Sequence, residues 1–263
     1  MRFQADHDLH IHSFLSDCSR DPNQVPENIL ALERENGFST LCLTDHMWDA
    51  AVPGASKWYE PQTFEHIRQS RPLPQAEGMR FLFGCETDMD RYGTIGISRE
   101  VMDQMDFFIV PTTHMHMDGF TLDGSEGPAE RAALWISRFD TLLNADLPFH
   151  KVGVAHLTCT LIWKRHLEVM RRIPVEEYHR LFEKAAKVGI GIELNFDPAT
   201  FTSEELEIEL LPYRIAKEEG CKFYFGSDAH TNAETRAAKA KVDGILELLP
   251  LTEDDKIPFL LEL

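Results

Sequence analysis

At 263 residues, with 43% hydrophobic and 27% charged side chains, the chain can bury one substantial core and has the composition of an ordinary globular protein. No apolar run approaches the roughly 18 residues of a membrane span, and a formal net charge of −18 opposes both nucleic acid and anionic membranes, so a small substrate is favoured over a polymer. No apolar leader precedes His10, which gives the cytoplasm as the expected location, and the five scattered cysteines read as reduced packing residues, with Cys18 the one placed near candidate ligands.

The first apolar run, residues 3–11, leads into Asp8-Leu9-His10-Ile11-His12. Strand side chains alternate, so His10 and His12 share a face and can chelate one cation; a buried pair of core histidines is the other reading of this segment alone. Asp21-Pro22 looks like a helix start for a pattern over 23–36 that stops at Gly37. The second run, 39–44, ends in Thr44-Asp45-His46, and the third, 80–86, ends in Gly84-Cys85-Glu86. The fourth, 106–113, is followed by His114 and, on the same face, His116. A helix is expected over 128–144. The fifth run, 151–157, carries His156. A helix over 174–188 stops at Gly189, and the sixth run, 189–195, ends in Glu193 and Asn195. Thr202-Ser203-Glu204-Glu205 opens a helix over 204–219 that stops at Gly220. The seventh run, 221–227, passes into Ser227-Asp228-Ala229-His230 ahead of a helix over 233–248.

Strands alternating with helices imply a parallel sheet, either open or closed. An open sheet concentrates its site at one switch point, whereas here nearly every strand ends in a candidate ligand, as in a barrel whose strand ends converge on one mouth. A single domain over residues 1–263 is expected. The long irregular connections 47–79 and 115–130 read as lids over that mouth.

Of twelve histidines, seven (His10, His12, His46, His114, His116, His156 and His230) fall at or just beyond predicted strand ends. Imidazoles mixed with carboxylates suit Zn²⁺, Mn²⁺ or Fe²⁺, and the donors exceed the needs of one ion, so two to three divalent metals are implied. Such a cluster ionises water and stabilises an in-line displacement, which is hydrolytic chemistry.

The ordered set Asp8-x-His10-x-His12-Ser13, Ser16-Asp17, Thr44-Asp45-His46, Gly84-x-Glu86, His114, His156 and Ser227-Asp228-Ala229-His230 resembles the PHP (polymerase and histidinol phosphatase) superfamily of phosphoesterases along essentially the whole chain. The resemblance implies a distorted (β/α)7 barrel with a trinuclear metal site at the C-terminal strand ends, hydrolysing a small phosphorylated metabolite through a metal-bound hydroxide. By position, His10, His12, Glu86 and Asp228 would hold one metal. Glu86 would bridge to a second on His114 and His156, and Asp17, His46 and His230 would take the third. Asp17 and His230 are the candidates to protonate the leaving group.

Other polar residues receive supporting roles. Asp8 and Asp45 are expected to orient imidazoles, and His116, Glu193 and Asn195 to face substrate or water. Arg20, Lys164, Arg165 and Arg236, shortly after strand ends, are the candidate phosphate clamps. No Arg or Lys adjoins Glu193-Leu194-Asn195-Phe196-Asp197, which weighs against histidinol phosphate as the particular substrate. An amidohydrolase-like barrel acting on C–N or ester bonds is the alternative, although Pro111-Thr112-Thr113-His114 lacks the lysine such binuclear sites use. A non-catalytic metal-binding domain would be expected to lack ligands, and none is missing here.

Overall fold

A computed structural model describes residues 1–158 and 165–261. Its strands are β1 (His7–Ile11), β2 (Thr40–Leu43), β3 (His46–Met47), β4 (Arg80–Thr87), β5 (Phe107–Pro111), β6 (Val152–Ala155), β7 (Gly191–Leu194) and β8 (Lys222–Phe225). They form one sheet in the order β1-β2-β4-β5-β6-β7-β8, with β3 also on β4 and every strand pair parallel. Thr40 lies opposite Arg80 and His46 opposite Glu86, the same offset, so β2 and β3 are two halves of one stave interrupted at Thr44-Asp45. Seven staves result, as the apolar runs predict.

The seam between β8 and β1 is closed differently at its two ends. At the lower end Phe225 N–H donates to His7 Nε2 at 2.9 Å, giving the histidine inside the first run a structural role. At the upper end, beyond β8, Asp228 N–H donates to His10 O at 2.7 Å and His12 N–H to Ala229 O at 3.0 Å. The result is a nearly closed, distorted (β/α) barrel.

The helices are α1 (Pro26–Glu35), α2 (Phe64–Ile67), α3 (Arg99–Met102), α4 (Pro128–Asn144), α5 (His166–Met170), α6 (Val175–Val188), α7 (Ser203–Glu218), α8 (Asn232–Leu248) and α9 (Pro258–Leu261). The α7 start carries the capping box seen in the sequence, Thr202 with Glu205, and α6 ends at Gly189 with φ 82°, which favours glycine. Asp21 does not cap α1. That helix begins at Pro26 after an uncapped Val25, because the Asp21 carboxylate accepts instead from Asn23 N–H and Asn232 N–H. Among the described residues, no helix is long and apolar enough to cross a membrane.

Apolar side chains occupy two layers. Leu9, Cys42, Phe107, Ile109, Ala155 and Tyr224 form a cluster closed by Ile257 and Leu260 from the C-terminal segment. Ile11, Leu41, Leu43, Val110, Val154, Ile192 and Phe225 belong to the larger core shared with the helices. Cys42, Cys85 and Cys221 are buried as predicted, Cys18 is exposed, and Cys159 lies outside the described residues.

Leu9 and Ile11 therefore face different layers although they are two residues apart. The β1–β2 register explains this: Asp8 pairs with Leu41 but Ile11 with Leu43, so β1 carries one extra residue between them. Such a bulge re-aims the side chains that follow it.

The two long connections pack on one another through Trp48, Tyr59 and Phe120, with Trp48 and Phe120 ring centroids 5.3 Å apart and Tyr59 and Phe120 5.7 Å apart.

Candidate metal centre

Glu86, the last but one residue of β4, is fully buried at the barrel mouth, and neither of its carboxylate oxygens has a hydrogen-bond donor among the described residues. Imidazole nitrogens surround it instead. His10 Nε2, His12 Nε2 and His46 Nδ1 lie 3.3, 3.3 and 3.2 Å from Oε2. His114 Nε2 and His156 Nε2 lie 3.4 and 3.2 Å from Oε1. Asp228 Oδ1 approaches His10 Nε2 at 3.3 Å and His12 Nε2 at 3.2 Å.

These separations test whether cations fit. Four donors placed tetrahedrally about an ion at roughly 2.0–2.1 Å stand about 3.3 Å from one another, which is the spacing found around Glu86. Three groups have all their donor atoms within 4.8 Å of one another: His10, His12, Glu86 and Asp228; Glu86, His114 and His156; and His12, His46 and His230. A buried carboxylate without donors is costly unless a cation satisfies it. The all-nitrogen-and-oxygen donor set fits divalent cations.

The protonation balance points the same way. Burial works to raise the Glu86 carboxyl, but the imidazoles of His46, His10 and His114 overcome it and hold the group well below the usual carboxylate range. Burial likewise opposes ionisation of Asp228, and His10 and His156 bring it well below normal. Burial pushes His10 down, yet Glu193, Asp228 and Glu86 together lift it to about 10. The carboxylates call for positive charge at their centre.

Backbone geometry is committed to the same centre. His156 and Asp228 sit in the left-handed region, at φ 52° and 59°, a conformation that costs a non-glycine residue about 1–3 kcal/mol and clusters at functional sites. Their N–H groups are held by Glu193 Oε2 at 2.7 Å and His10 O at 2.7 Å.

A layer of acceptors orients the imidazoles. Glu193 Oε1 lies 2.6 Å from His10 Nδ1, Ser16 Oγ 3.0 Å from His12 Nδ1, and Asp88 Oδ2 3.0 Å from His114 Nδ1. A proton held at each Nδ1 leaves Nε2 to ligate. Asp45 backs Ser16, accepting its hydroxyl at 2.7 Å. The buried guanidinium of Arg138 backs Asp88, with Nη2 3.3 Å from Oδ1.

Most of the predicted metal residues are thus brought together, with differences. Asp17 is exposed and outside the three groups, its N–H donating to Gln62 Oε1 at 2.9 Å; His12 stands with His46 and His230 where the resemblance implies Asp17. Asp8 does not orient an imidazole. The bulge turns it away from the His10 and His12 side, and its Oδ1 accepts from the N–H groups of His10 at 3.1 Å and Ser227 at 2.9 Å. Asp45 acts on His12 through Ser16 rather than on His46 directly.

Glu193 and Asn195 are spent within the protein, Asn195 donating to Glu193 Oε2 at 3.2 Å and accepting from Lys241. His116 lines the cavity above the centre. Arg20, Arg165 and Arg236 are exposed and are not among the residues lining that cavity, with Arg165 bonded to Glu168, while Lys164 lies outside the described residues.

Sequence reasoning missed Asp88, Arg138 and Lys241. Asp88 was findable, because it shares the face of Glu86 by the two-residue period. Arg138 and Lys241 arrive from α4 and α8, and nothing local marks them.

Neither a protein-family model nor a curated protein sequence matches the chain. Solved structures do. Histidinol phosphate phosphatase from Lactococcus lactis subsp. lactis Il1403, complexed with zinc, L-histidinol and phosphate, matches with a TM-score of 0.60 at 17% identity over 93% of each chain. A candidate histidinol phosphatase from Listeria monocytogenes matches with a TM-score of 0.61 at 13% identity, over 87% of this chain and 96% of that one. At these identities the likeness is one of fold, and the barrel is the architecture these phosphatase structures share with the present chain.

Proposed function

We propose that this chain is a metal-dependent hydrolase that cleaves a small-molecule phosphomonoester. The observation that carries the reading is Glu86, a buried carboxylate with no hydrogen-bond donor to either oxygen among the described residues and with five imidazoles about it. The zinc and phosphate in the Lactococcus structure, on the same fold, support it.

His10, His12, Glu86 and Asp228 would hold one cation and Glu86, His114 and His156 a second; a third would rest on His46 and His230, which group with His12, because the one free nitrogen of His12 ligates a single cation. Divalent cations bound there supply charge stabilisation for phosphoryl oxygens and a water of lowered pKa. The protein's own part is positional. Glu193, Ser16 and Asp88 keep protons on the Nδ1 atoms of His10, His12 and His114, and the roof of Trp58 and Tyr59 over His46 limits solvent access. His230 Nδ1 is engaged by Asp228 O at 2.8 Å, so its Nε2 serves as a ligand rather than as a proton donor. His116, in the cavity wall but outside the three groups, is left to contact the substrate.

The test is metal content by elemental mass spectrometry, paired with p-nitrophenyl phosphate turnover before chelation, after it, and after return of Zn²⁺, Mn²⁺ or Fe²⁺. Two to three metals per chain with restorable turnover is the expected result. Metal without phosphatase activity would transfer the reading to C–N or ester hydrolysis, and a chain that retains no metal would end it.

A further inference from the structure

The cavity over the metal centre has a volume of about 410 Å³, within the range of small-molecule sites. Its floor is ionic. Above the floor, Trp58, Met115, Met117, Val169 and Met170 line the wall, and Met115, Val169 and Met170 are part of the hydrophobic core.

Of the polar groups that reach this wall, His116 is left to the substrate and His166 Nε2 stands 3.6 Å from Glu209 Oε2, while Arg131, Thr158, Thr113 and Tyr59 are already used. The Arg131 guanidinium donates to Met115 O and, from Nε at 2.9 Å, to Glu126 O. Thr158 gives its hydroxyl to the buried Glu209 carboxylate, Thr113 gives its hydroxyl to His156 O at 2.5 Å, and Tyr59 OH lies 3.4 Å from Asp88 Oδ2.

A second charged or heavily hydroxylated group on the substrate would therefore lose water here with little beyond His116 to replace it among the described residues, a penalty that outweighs contact. We infer that the site selects phosphomonoesters whose alcohol carries an uncharged apolar or aromatic group, the phosphate on the floor and that group against Trp58, Met115 and Met170. This rests on the phosphomonoesterase reading above and deepens it. Moving a phenyl-sized group from water into such a wall is worth on the order of a 30-fold gain in kcat/KM.

The experiment uses two alkyl phosphates with leaving alcohols of similar acidity, 3-phenylpropyl phosphate and 3-hydroxypropyl phosphate, on the metal-reconstituted protein. A preference for the phenylpropyl ester of about 30-fold, reduced severalfold in Met170→Gln and in Trp58→Gln, is expected. Equal turnover of the two esters, or preference for the hydroxypropyl ester, would overturn the inference and leave the phosphomonoesterase reading standing. If no phosphate ester is turned over, that reading fails. The pocket is then judged by tryptophan fluorescence titration with 3-phenylpropylphosphonate and 3-hydroxypropylphosphonate: tighter binding of the former sustains the apolar assignment, and equal binding removes it.

Discussion

Glu193→Gln isolates the layer behind the ligands, because a glutamine has nearly the same shape but replaces one acceptor oxygen and the negative charge with an NH₂ donor. The Glu193 carboxylate is fully buried and faces His10 Nδ1 at 2.6 Å from one oxygen, while the other accepts His156 N–H at 2.7 Å and Asn195 Nδ2–H at 3.2 Å. A glutamine has one acceptor atom for these two directions. With its oxygen toward His156, its NH₂ forces His10 to accept at Nδ1 and to carry its proton at Nε2, the atom that should ligate. Turned the other way, it sets two donors against each other at His156 N–H. Either arrangement loses one charge-assisted hydrogen bond of about 1.5–3 kcal/mol, which predicts a loss of cation affinity of about 10- to 100-fold, in the range typical for such outer partners. Zinc affinity measured by competition with a chromophoric chelator is the assay, with melting of the metal-free protein as the control for folding. A variant that binds zinc within twofold of the parent would refute the positioning role of Glu193.

Three further outcomes follow from the geometry. Asp8 is fully buried, and burial lifts its carboxyl to about 6 from 3.8 against the hydrogen bonds from Ser227 and His10. A raised acid is penalised only where it must ionise, so the metal-free protein should lose up to about 3 kcal/mol of stability as pH rises from 4 through 6. Glu33, also raised by burial and by Asp8, contributes beside it, so Asp8→Asn should reduce that slope, and denaturant titrations of the two proteins that stay parallel across this window would contradict it. Gly226→Ala would place a methyl 2.2 Å from Glu193 Oε1 and 2.5 Å from His10 Cβ; it should destabilise by about 1–3 kcal/mol and weaken zinc binding along with it, both read on one purified variant. Arg138→Leu leaves the fully buried Asp88 without its guanidinium and strands Met89 O and Thr112 O, its nearest carbonyl acceptors at 2.9 and 3.0 Å, along with Asp90 O at 3.4 Å. A loss of about 3–5 kcal/mol in thermal or chemical unfolding is expected, together with weakened cation binding on the His114 side.

The extent to which the site was legible varies with how local its determinants are. His10, His12, Glu86, His114, His156, Asp228 and His230 could be read because each follows an apolar run, and parallel strands in a barrel deliver all such ends to one mouth. His46 was read in the same way, although its stave is broken into β2 and β3. Three of the basic candidates, all arginines, stand apart from the centre. A basic residue after a strand end resembles a phosphate clamp in sequence, but Arg20, Arg165 and Arg236 are exposed and outside the cavity lining.

By itself, then, the sequence determined the repeated strand-and-helix order, the seven staves, four of the major helices to within a residue or so, and the identity of most residues that meet at the centre. These depend on periodicity, capping and chain order, all properties of neighbouring residues. Only the tertiary structure decided that an extra residue in β1 turns Asp8 away while His10 and His12 face Glu86, that Glu193 and Asn195 stand behind the ligands, that Arg138 and Lys241 support them from distant helices, and that the cavity wall is apolar. Those outcomes depend on which side chains meet across the barrel after closure, and a contact between residues 46 or 183 positions apart leaves no mark on the local pattern of either.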